Sequence, residues 1–272
     1  MIIGSKLFDE NRTHIMGILN VTPDSFSDGG KWNSIDSALR HTERMINDGA
    51  EIIDIGGEST RPGYVMISDK EEIRRVVPVI EAIKKEFNVP VSIDTYKSST
   101  ARAAIESGAD LVNDIWGLKY DSEMAKTVKE FNVPACIMHN RKNPDYADFL
   151  NDVISDLKES IAIAKSAGIT DDKIILDPGV GFAKTYEQNL RIVNHMELLH
   201  TLGYPLLLGA SRKSMIGLAL DLPKEERIEG TIATSVIACM KDAMFVRVHD
   251  VKENLRAVKM TEAIIKKVNL LE

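Results

Sequence analysis

The sequence predicts a TIM barrel, the α/β fold in which eight parallel strands alternate with helices, formed by residues 1–272 as a single domain. Eight short apolar runs rich in β-branched residues are each followed by a stretch with helical periodicity, which is typical of repeated βα units. The length of 272 residues suits one barrel, since this fold commonly takes about 250 residues. No low-complexity stretch, linker or repeated motif divides the chain. An open doubly wound sheet is the alternative, but its usual G-x-G-x-x-G turn after the first strand is missing here.

The predicted strands and helices follow one another in order along the chain. The strands are residues 14–19, 51–56, 89–94, 109–113, 134–139, 173–177, 204–210 and 244–249. Two of the helical segments carry an apolar face with 3.6-residue spacing and end at a glycine. These faces are formed by Ile35, Ala38, Leu39, Met45 and Ile46 before Gly49, and by Phe149, Leu150, Val153, Ile154, Leu157 and Ile161 before Gly168. Pro78 interrupts the helical run 71–87, so we expect a kink there or a break into two helices.

Composition excludes several classes of protein. Hydrophobic residues make up 44% of the chain and charged residues 28%, which is close to the average for a globular protein with a full core. The formal net charge of −7 leaves no basic face for a nucleic-acid backbone. Charges interrupt the N-terminal segment, and no apolar run approaches the ~18 residues of a membrane span. We therefore expect a cytoplasmic protein whose two cysteines, Cys136 and Cys239, are buried thiols.

Polar side chains gather where the predicted strands end. The positions are Asn20, Glu58 to Arg61, Asp94, Asn113, His139, Asp177, Ser211 to Lys213, Arg247 and His249. The C-terminal ends of the strands form the mouth at which TIM barrels carry their active sites. A single Asp or Asn after a strand is more often a turn or helix-cap residue than a catalytic one. The prediction of an active site therefore depends on the whole cluster.

The chemistry of this cluster indicates the kind of ligand. Asp94 and Asp177 lie in apolar strands, so buried carboxylates at these positions need N–H donors or cations as partners. With the amide of Asn113 they suit a flat heterocycle with a donor-rich edge, because one carboxylate accepts two parallel N–H bonds. Positive charge on this acidic protein indicates an anion such as pyrophosphate beside the ring. The cations are Arg61, Lys213, Arg247 and His249, for which surface salt bridges are the alternative.

Two loops rich in glycine, proline and small polar residues follow the first two strands. Their sequences are NVTPDSFSDGG and GGESTRPG. Such loops are typical of mobile lids that exclude water from a reaction. The composition fits simple chain reversal equally well, so both interpretations stay open.

Seven motifs along the chain resemble those of the dihydropteroate synthases, in the family order and at family-like spacing. They are GILNVTPDSFSDGG, DIGGESTRPG, SIDTYK, GADLVNDIWG, DPGVGF, GASRKSMIG and RVHDV. The resemblance covers essentially the whole chain, and the set is specific where one motif alone would be weak. It implies an enzyme that joins 6-hydroxymethyl-7,8-dihydropterin pyrophosphate to p-aminobenzoate, giving 7,8-dihydropteroate and pyrophosphate. It also implies Mg²⁺ as a cofactor and a homodimer.

The resemblance further implies roles for individual residues. The dihydropterin ring is held by Asp94, Asn113, Asp177 and Lys213, between apolar walls formed by Met138 and Phe182. Mg²⁺ binds Asn20, and pyrophosphate binds Arg247 and His249. In the loops, Thr60 contacts the pterin diphosphate, Asp28 closes the site, and p-aminobenzoate binds Phe26, Arg61 and Pro62, together with Ser214. The catalytic residues are then Asp94, Lys213, Arg247 and His249, which stabilise the departing anion and the charge on the ring.

Two segments depart from the family pattern. Ala183 stands in DPGVGFAKT where glycine is common, and MHNRKNP differs from the commoner motif ending in Gly-x-Pro. We expect these changes to alter loop shape and to leave the chemistry intact. One competing function is a pterin-binding methyltransferase that serves a corrinoid partner, but it would not need the loops, Asn20 or the cations. Another is a catalytically silent homologue, against which stands the presence of every residue that the mechanism needs.

Overall fold

The predicted TIM barrel is confirmed in the computed structural model, which describes residues 1–21, 31–58 and 66–269, the side chains of 31–34 and 266–269 excepted. A hairpin of β1 (Ile2–Ile3) and β2 (Lys6–Leu7) precedes the barrel. The barrel strands are β3 (His14–Asn20), β4 (Ile52–Gly56), β5 (Val91–Asp94), β6 (Leu111–Asp114), β7 (Ala135–Met138), β8 (Ile174–Asp177), β9 (Leu207–Leu208) and β10 (Phe245–Val248). They pair in parallel in chain order, with β10 between β3 and β9. A bridge from Leu176 to Leu206 joins β8 to the segment before β9 and closes the cylinder.

Helices cover the outside of the strands. They are α1 (Lys31–Asp48), α2 (Asp69–Glu86), α3 (Ser98–Glu106), α4 (Met124–Phe131), α5 (Phe149–Ser166), α6 (Tyr186–Asn194), α7 (Ser214–Leu220), α8 (Ile228–Met240) and α9 (Val251–Asn269). In the described part of the chain, 3-10 helices span Asp171–Lys173, Met196–Leu202 and Lys224–Glu226. The two predicted apolar faces form α1 and α5, and the glycines that follow them, Gly49 and Gly168, have positive φ angles, as expected after a helix end.

Helix α2 runs through Pro78 without a break, so the predicted division into two helices is wrong. Proline lacks the amide that would bond to the carbonyl four residues earlier, which here belongs to Arg74. Arg74 is exposed, and water can therefore replace the missing donor. The helix also begins firmly, because the Ser68 side chain accepts a 3.3 Å hydrogen bond from the Glu71 amide.

Side chains inside the barrel change from apolar to polar along the strands. Near the strand starts, the inward residues pack against Ile3 and Phe8 of the hairpin and form an apolar floor: Met16, Ile52, Leu111, Cys136, Ile175, Leu207 and Phe245. Two residues further along four of these strands the inward side chains are Asp54, Asn113, Asp177 and Arg247. The fold therefore places these four polar groups at the mouth formed by the strand ends.

Within the described residues, no helix combines the length and apolar character needed to cross a membrane. Cys136 and Cys239 are buried thiols, as predicted. Burial raises the pKa of the Cys136 thiol well above its usual value, which leaves it unreactive at neutral pH.

Candidate active site

Neighbouring strands bring three predicted site residues into one row. Asn20 pairs with Gly56, Gly56 with Asp94, and Asp94 with Asn113 across β3 to β6. Gly56 keeps this row open because it has no side chain. A Cβ at Gly56 would lie 3.8 Å from Asp94 Oδ2 and 3.9 Å from Asn20 Oδ1. The amide oxygen of Asn20 and a carboxylate oxygen of Asp94 therefore face the same opening at the barrel mouth.

Arg247 lies inside the barrel, where two carboxylates hold it. Its Nε donates to Asp54 Oδ2 at 2.5 Å, and its Nη2 donates to Asp94 Oδ2 at 2.6 Å. Burial lowers the pKa of Arg247, but the two carboxylates outweigh burial and raise the pKa above its usual range. The guanidinium is therefore charged throughout the physiological pH range, and it joins β4, β5 and β10 across the barrel.

Asp54 is a residue of this site that the sequence analysis did not single out. Its side chain is fully buried, and its Oδ2 also accepts from Asn113 Nδ2 at 3.4 Å. The sequence does contain a signal for it, because Asp54 stands two residues before Gly56 in β4. Side chains two apart on a strand share a face, so Asp54 had to point into the barrel with that row.

Asp94 and Asp177 are the buried acids of the predicted ring site. Among the described residues, Asp94 Oδ1 has no hydrogen-bond partner, while Asp177 Oδ1 accepts from the Gly179 amide at 2.7 Å. Burial raises the pKa of both acids, opposed at Asp94 by Arg247 and at Asp177 by Lys213. An unpaired buried acceptor costs about 1–3 kcal/mol. An N–H donor on a ligand would remove that cost at Asp94.

Lys213 reaches the same mouth from the segment before α7. Its Nζ donates to the Val180 carbonyl and lies 4.5 Å from the centre of the Phe182 ring. A Cβ at Gly181 would lie only 3.0 Å from Lys213 Cδ, so a glycine lets the lysine stem pass. Burial lowers the pKa of Lys213 to about 8, against the opposing effect of Asp177.

The predicted apolar walls are part of one small cluster. Met138 packs with Tyr96 and Ile115, and Phe182 and Trp116 contact this cluster from its edge. The structure thus brings Met138 and Phe182 together, with Phe182 beneath the Lys213 ammonium. A flat ligand bound by the acids would have apolar surface on this side.

His249 and Asn20 lie on the other side of the mouth. The His249 amide donates to Ser211 Oγ at 3.1 Å, and Oγ lies 2.9 Å from His249 Nδ1. Since Oγ accepts the amide proton, its own hydrogen is free to be donated to Nδ1, which orients the imidazole. Asn20 and His249 line one cavity of about 480 Å³, with Arg212 among its other lining residues. Asn20 and His249 therefore border a common space.

Five predicted site residues lie outside the described residues. They are Phe26 and Asp28, in the segment 22–30, and Thr60, Arg61 and Pro62, in the segment 59–65. Ser214 is described: it is exposed and begins α7, directly after Lys213. The structure thus brings the predicted residues at the strand ends together at one mouth of the barrel.

The two departures from the family pattern contact one another. Ala183 has a φ angle of +42°, a left-handed conformation that costs an ordinary residue about 1–2 kcal/mol. Its carbonyl accepts from the Tyr146 hydroxyl at 2.9 Å, and Tyr146 follows the segment MHNRKNP by two residues. The Tyr146 ring also lies 4.4 Å from the Arg141 guanidinium. The changed loop after β7 therefore supports the strained backbone of the changed loop after β8.

Comparison with known proteins extends over nearly the full chain. A family model described as pterin binding enzyme matches residues 16–249. The chain is 64% identical to a dihydropteroate synthase of Clostridium beijerinckii over 269 residues, which are 98% of this chain and 100% of that protein. It is 56% identical to the dihydropteroate synthase of Bacillus subtilis, with 97% of this chain and 92% of that protein covered.

A solved structure shows the same likeness in three dimensions. It is a dihydropteroate synthase from Clostridium difficile, crystallised in the presence of pteroic acid. Its TM-score against this chain is 0.93 at 50% sequence identity, and the match covers 95% of this chain and 99% of that one.

Proposed function

Because the chain belongs to the dihydropteroate synthase family of pterin-binding enzymes, we propose that its barrel mouth divides the family reaction between ring-binding acids and anion-binding cations. The reaction joins 6-hydroxymethyl-7,8-dihydropterin pyrophosphate to p-aminobenzoate and yields 7,8-dihydropteroate and pyrophosphate. The observation that carries the proposal is the closeness of buried acids and cations at one end of the strands. Arg247 is bonded to Asp94, and Asp177 is within electrostatic reach of Lys213.

The acids and Asn113 are assigned to the pterin ring. The aminopyrimidine edge of a pterin carries an amino group and a ring N–H, which suit the parallel acceptors of a carboxylate. Asp94 Oδ1 is a buried acceptor without a described partner, and Asn113 both donates and accepts. Lys213 uses one N–H on the Val180 carbonyl and keeps two for the ring carbonyl and ring nitrogen. Pteroic acid in the Clostridium difficile crystals supports a pterin ligand here.

The cations are assigned to the leaving pyrophosphate. The bond from the pterin methylene carbon to the pyrophosphate oxygen breaks, a bond to the amine nitrogen of p-aminobenzoate forms, and the amine proton leaves to water or pyrophosphate. No protein nucleophile is needed. Positive charge then spreads into the pterin, where Asp94 and Asp177 stabilise it. Arg247 and His249 bind the departing anion, and the charge of Lys213 at the ring adds to its stabilisation.

Mg²⁺ is proposed as the cofactor, with the Asn20 amide oxygen as its protein ligand. Asn20 fits this role because its Oδ1 faces the open row at Gly56 and the residue lines the cavity shared with His249. The described residues contain no group of three or more His, Cys, Asp and Glu side chains that could hold a metal ion. Mg²⁺ is commonly held by one or two protein groups, with substrate phosphate oxygens and water completing its octahedron. When bound, the ion supplies charge stabilisation at the phosphate oxygens.

The roles in the loops rest on the resemblance to the family. Thr60 is assigned to the pterin diphosphate, Asp28 to closure of the site, and Phe26, Arg61, Pro62 and Ser214 to p-aminobenzoate. The exposure of Ser214 beside Lys213 is compatible with contact to a second substrate. The cytoplasmic location likewise stays a prediction.

A homodimer is proposed through the surface of α7, α8 and α9. Large apolar side chains are exposed on these three helices: Leu218, Leu220, Ile237, Met240, Met260 and Ile264. Light scattering after size exclusion should give twice the monomer mass for the native chain. Met240→Glu should give the monomer mass, and Ile163→Glu, at an exposed residue of α5, should leave the dimer intact. A monomeric native chain would contradict the proposal.

Pyrophosphate release by the purified chain tests the proposed function. The assay contains dihydropterin pyrophosphate and is run with and without p-aminobenzoate and Mg²⁺. We expect release that requires both additions, since the amine captures the pterin and the ion stabilises the anion. Lys213→Gln should lower the rate at least about tenfold, because a lost bond to a charged group costs about 1.5–3 kcal/mol. Absence of release with all components present would contradict the function, and undiminished release without Mg²⁺ would contradict the cofactor.

A further inference from the structure

Lys184 fastens the loop that follows β8 to the end of β7. Its Nζ donates to the carbonyl oxygens of Gly179 and Phe182 at 2.9 and 3.1 Å, and it lies 2.8 Å from His139 Nδ1. An ammonium group has three N–H donors and no acceptor. All three donors are therefore used, and His139 Nδ1 is the acceptor of the third.

His139 is fixed from its other side. It is buried, and its Nε2 lies 2.9 Å from Asp156 Oδ2. Because Nδ1 accepts from Lys184, the ring hydrogen is on Nε2 and is donated to this carboxylate. Burial lowers the pKa of His139 to about 4, although the bond to Asp156 opposes that change, so the ring is neutral at pH 7. Arg141 in turn holds Asp156 at 2.5 and 3.1 Å.

The segment 178–184, here named the β8 loop, carries parts of the pterin site. The Phe182 ring lies 4.5 Å from Lys213 Nζ. A Cβ at Gly179 would lie 1.9 Å from the His139 carbonyl oxygen, so the β8 loop passes directly against the end of β7. The position of this loop therefore sets where the Phe182 ring and the Lys213 ammonium stand.

We propose that Lys184 is a positioning residue for the pterin ring: it holds the β8 loop against His139 so that Phe182 and Lys213 face the ligand. Lys184 acts through these neighbours and does not touch the reacting atoms. The inference rests on the proposed binding of a pterin at the barrel mouth. Removing the three donors breaks the bond to His139 and two bonds that shape the β8 loop itself. This change weakens ring binding and leaves the anion side at His249 intact.

The charge of Lys184 makes this positioning depend on pH. Burial lowers the pKa of Lys184 to about 7. Above that pH the neutral amine has two N–H donors for three acceptors, so pterin affinity falls as the pH rises. The charged and titratable groups around it are Asp177, Lys213, Asp156, Arg141 and His139. Lys213 titrates in native and variant chains alike, and a comparison with Lys184→Met isolates the contribution of Lys184.

Calorimetric titration of the full chain in Mg²⁺ buffer tests the proposal, with 6-hydroxymethylpterin and inorganic pyrophosphate as separate probes. Lys184→Met should weaken pterin binding at least about tenfold and change pyrophosphate binding less than about twofold. Between pH 6.5 and 8, the native chain should lose more pterin affinity than this variant. Lys173→Met is the matched control: Lys173 also donates to a backbone carbonyl, that of Asn132, but at the opposite end of β8. Both affinities should stay unchanged in the control.

Two results would overturn the inference while leaving the proposed function standing. One is native pterin affinity in Lys184→Met, and the other is an equal loss of pterin and pyrophosphate binding, which indicates a general structural role. If Lys184→Met does not fold, Lys184→Gln is measured against the same criteria. Failure of the native chain itself to bind the pterin would instead overturn the proposed function and the inference with it.

Discussion

Arg247 places one positive charge between two negative ones inside the barrel. Asp54 and Asp94 both accept from its guanidinium, so two acids share one cation. When both acids are ionised, the three side chains together carry a net negative charge. Such a charge is unfavourable in a buried site without a partner. It becomes favourable when positive charge develops on a pterin as pyrophosphate departs. Burial raises the pKa of Asp94, and a positive charge on the pterin would favour the ionised form of this acid, which suits the proposed chemistry.

Asp54 should prove essential to this arrangement. Asp54→Ala leaves Arg247 Nε and Asn113 Nδ2 without their buried acceptor, while Asp94 still pairs with Arg247. It should therefore lower the free energy of unfolding by about 1–3 kcal/mol. Asp54→Asn should cost less, because its amide oxygen still accepts from Arg247. Urea denaturation measures both values, with Asp172→Ala at an exposed residue as a control expected within about 0.5 kcal/mol of native. Equal stability of the native chain and Asp54→Ala would contradict the ion-pair argument.

Asp177 and His249 should separate ring binding from anion binding. Asp177→Ala should abolish detectable binding of a pterin, because the edge of the ring loses its carboxylate. His249→Ala should leave pterin binding intact and weaken pterin pyrophosphate roughly 10- to 100-fold, the loss expected for one bond to a charged group. Calorimetry with the two ligands measures both effects. Equal losses for both ligands in both variants would refute the division of roles.

At the scale of elements, the strands were predictable because both of their faces are buried. Apolar runs such as IIDIG and VSID therefore predict a strand by their composition. Their length was less predictable. The run 204–210 forms a strand only at Leu207–Leu208. These two residues pair with β10, whereas on the side of β8 the run has only a single bridge among the described residues. Polar site residues inside a strand were also harder to predict than those at its end, and Asp54 within β4 is an example.

Helix α2 offers a test of how proline is tolerated. Pro78→Ala supplies the N–H donor that the carbonyl oxygen of Arg74 lacks. It also replaces a poor helix former by the best one. We expect the free energy of unfolding to rise by about 1–3 kcal/mol, after allowance for the greater entropy of the unfolded chain. Thermal and urea denaturation measure the gain, with Lys85→Ala at an exposed position of the same helix as the control. A loss of stability in Pro78→Ala would show that the proline ring has a packing role.

At the scale of the whole molecule, the structure places the predicted strand-end residues at one mouth of the barrel, and their roles in the chemistry stay a prediction. Asp94, Asn113, Asp177 and Lys213 could be predicted because they end strands or follow them, and strand ends meet at one mouth. The contacts of Lys184 that support the β8 loop could not be predicted from the sequence. Its contacts with His139 and, through it, Asp156 join segments 17 and 45 residues apart, and no local pattern encodes such contacts. The hydrogen bond from the Tyr146 hydroxyl to the Ala183 carbonyl could not be predicted from the sequence for the same reason.

A crystal structure with bound dihydropterin pyrophosphate tests the central claim most directly. We expect the pteridine edge within hydrogen-bond distance, about 2.7–3.2 Å, of Asp94 and Asp177, with the diphosphate directed to Asn20 and His249. A ring bound away from these acids, or a diphosphate directed to another face of the barrel, would contradict it.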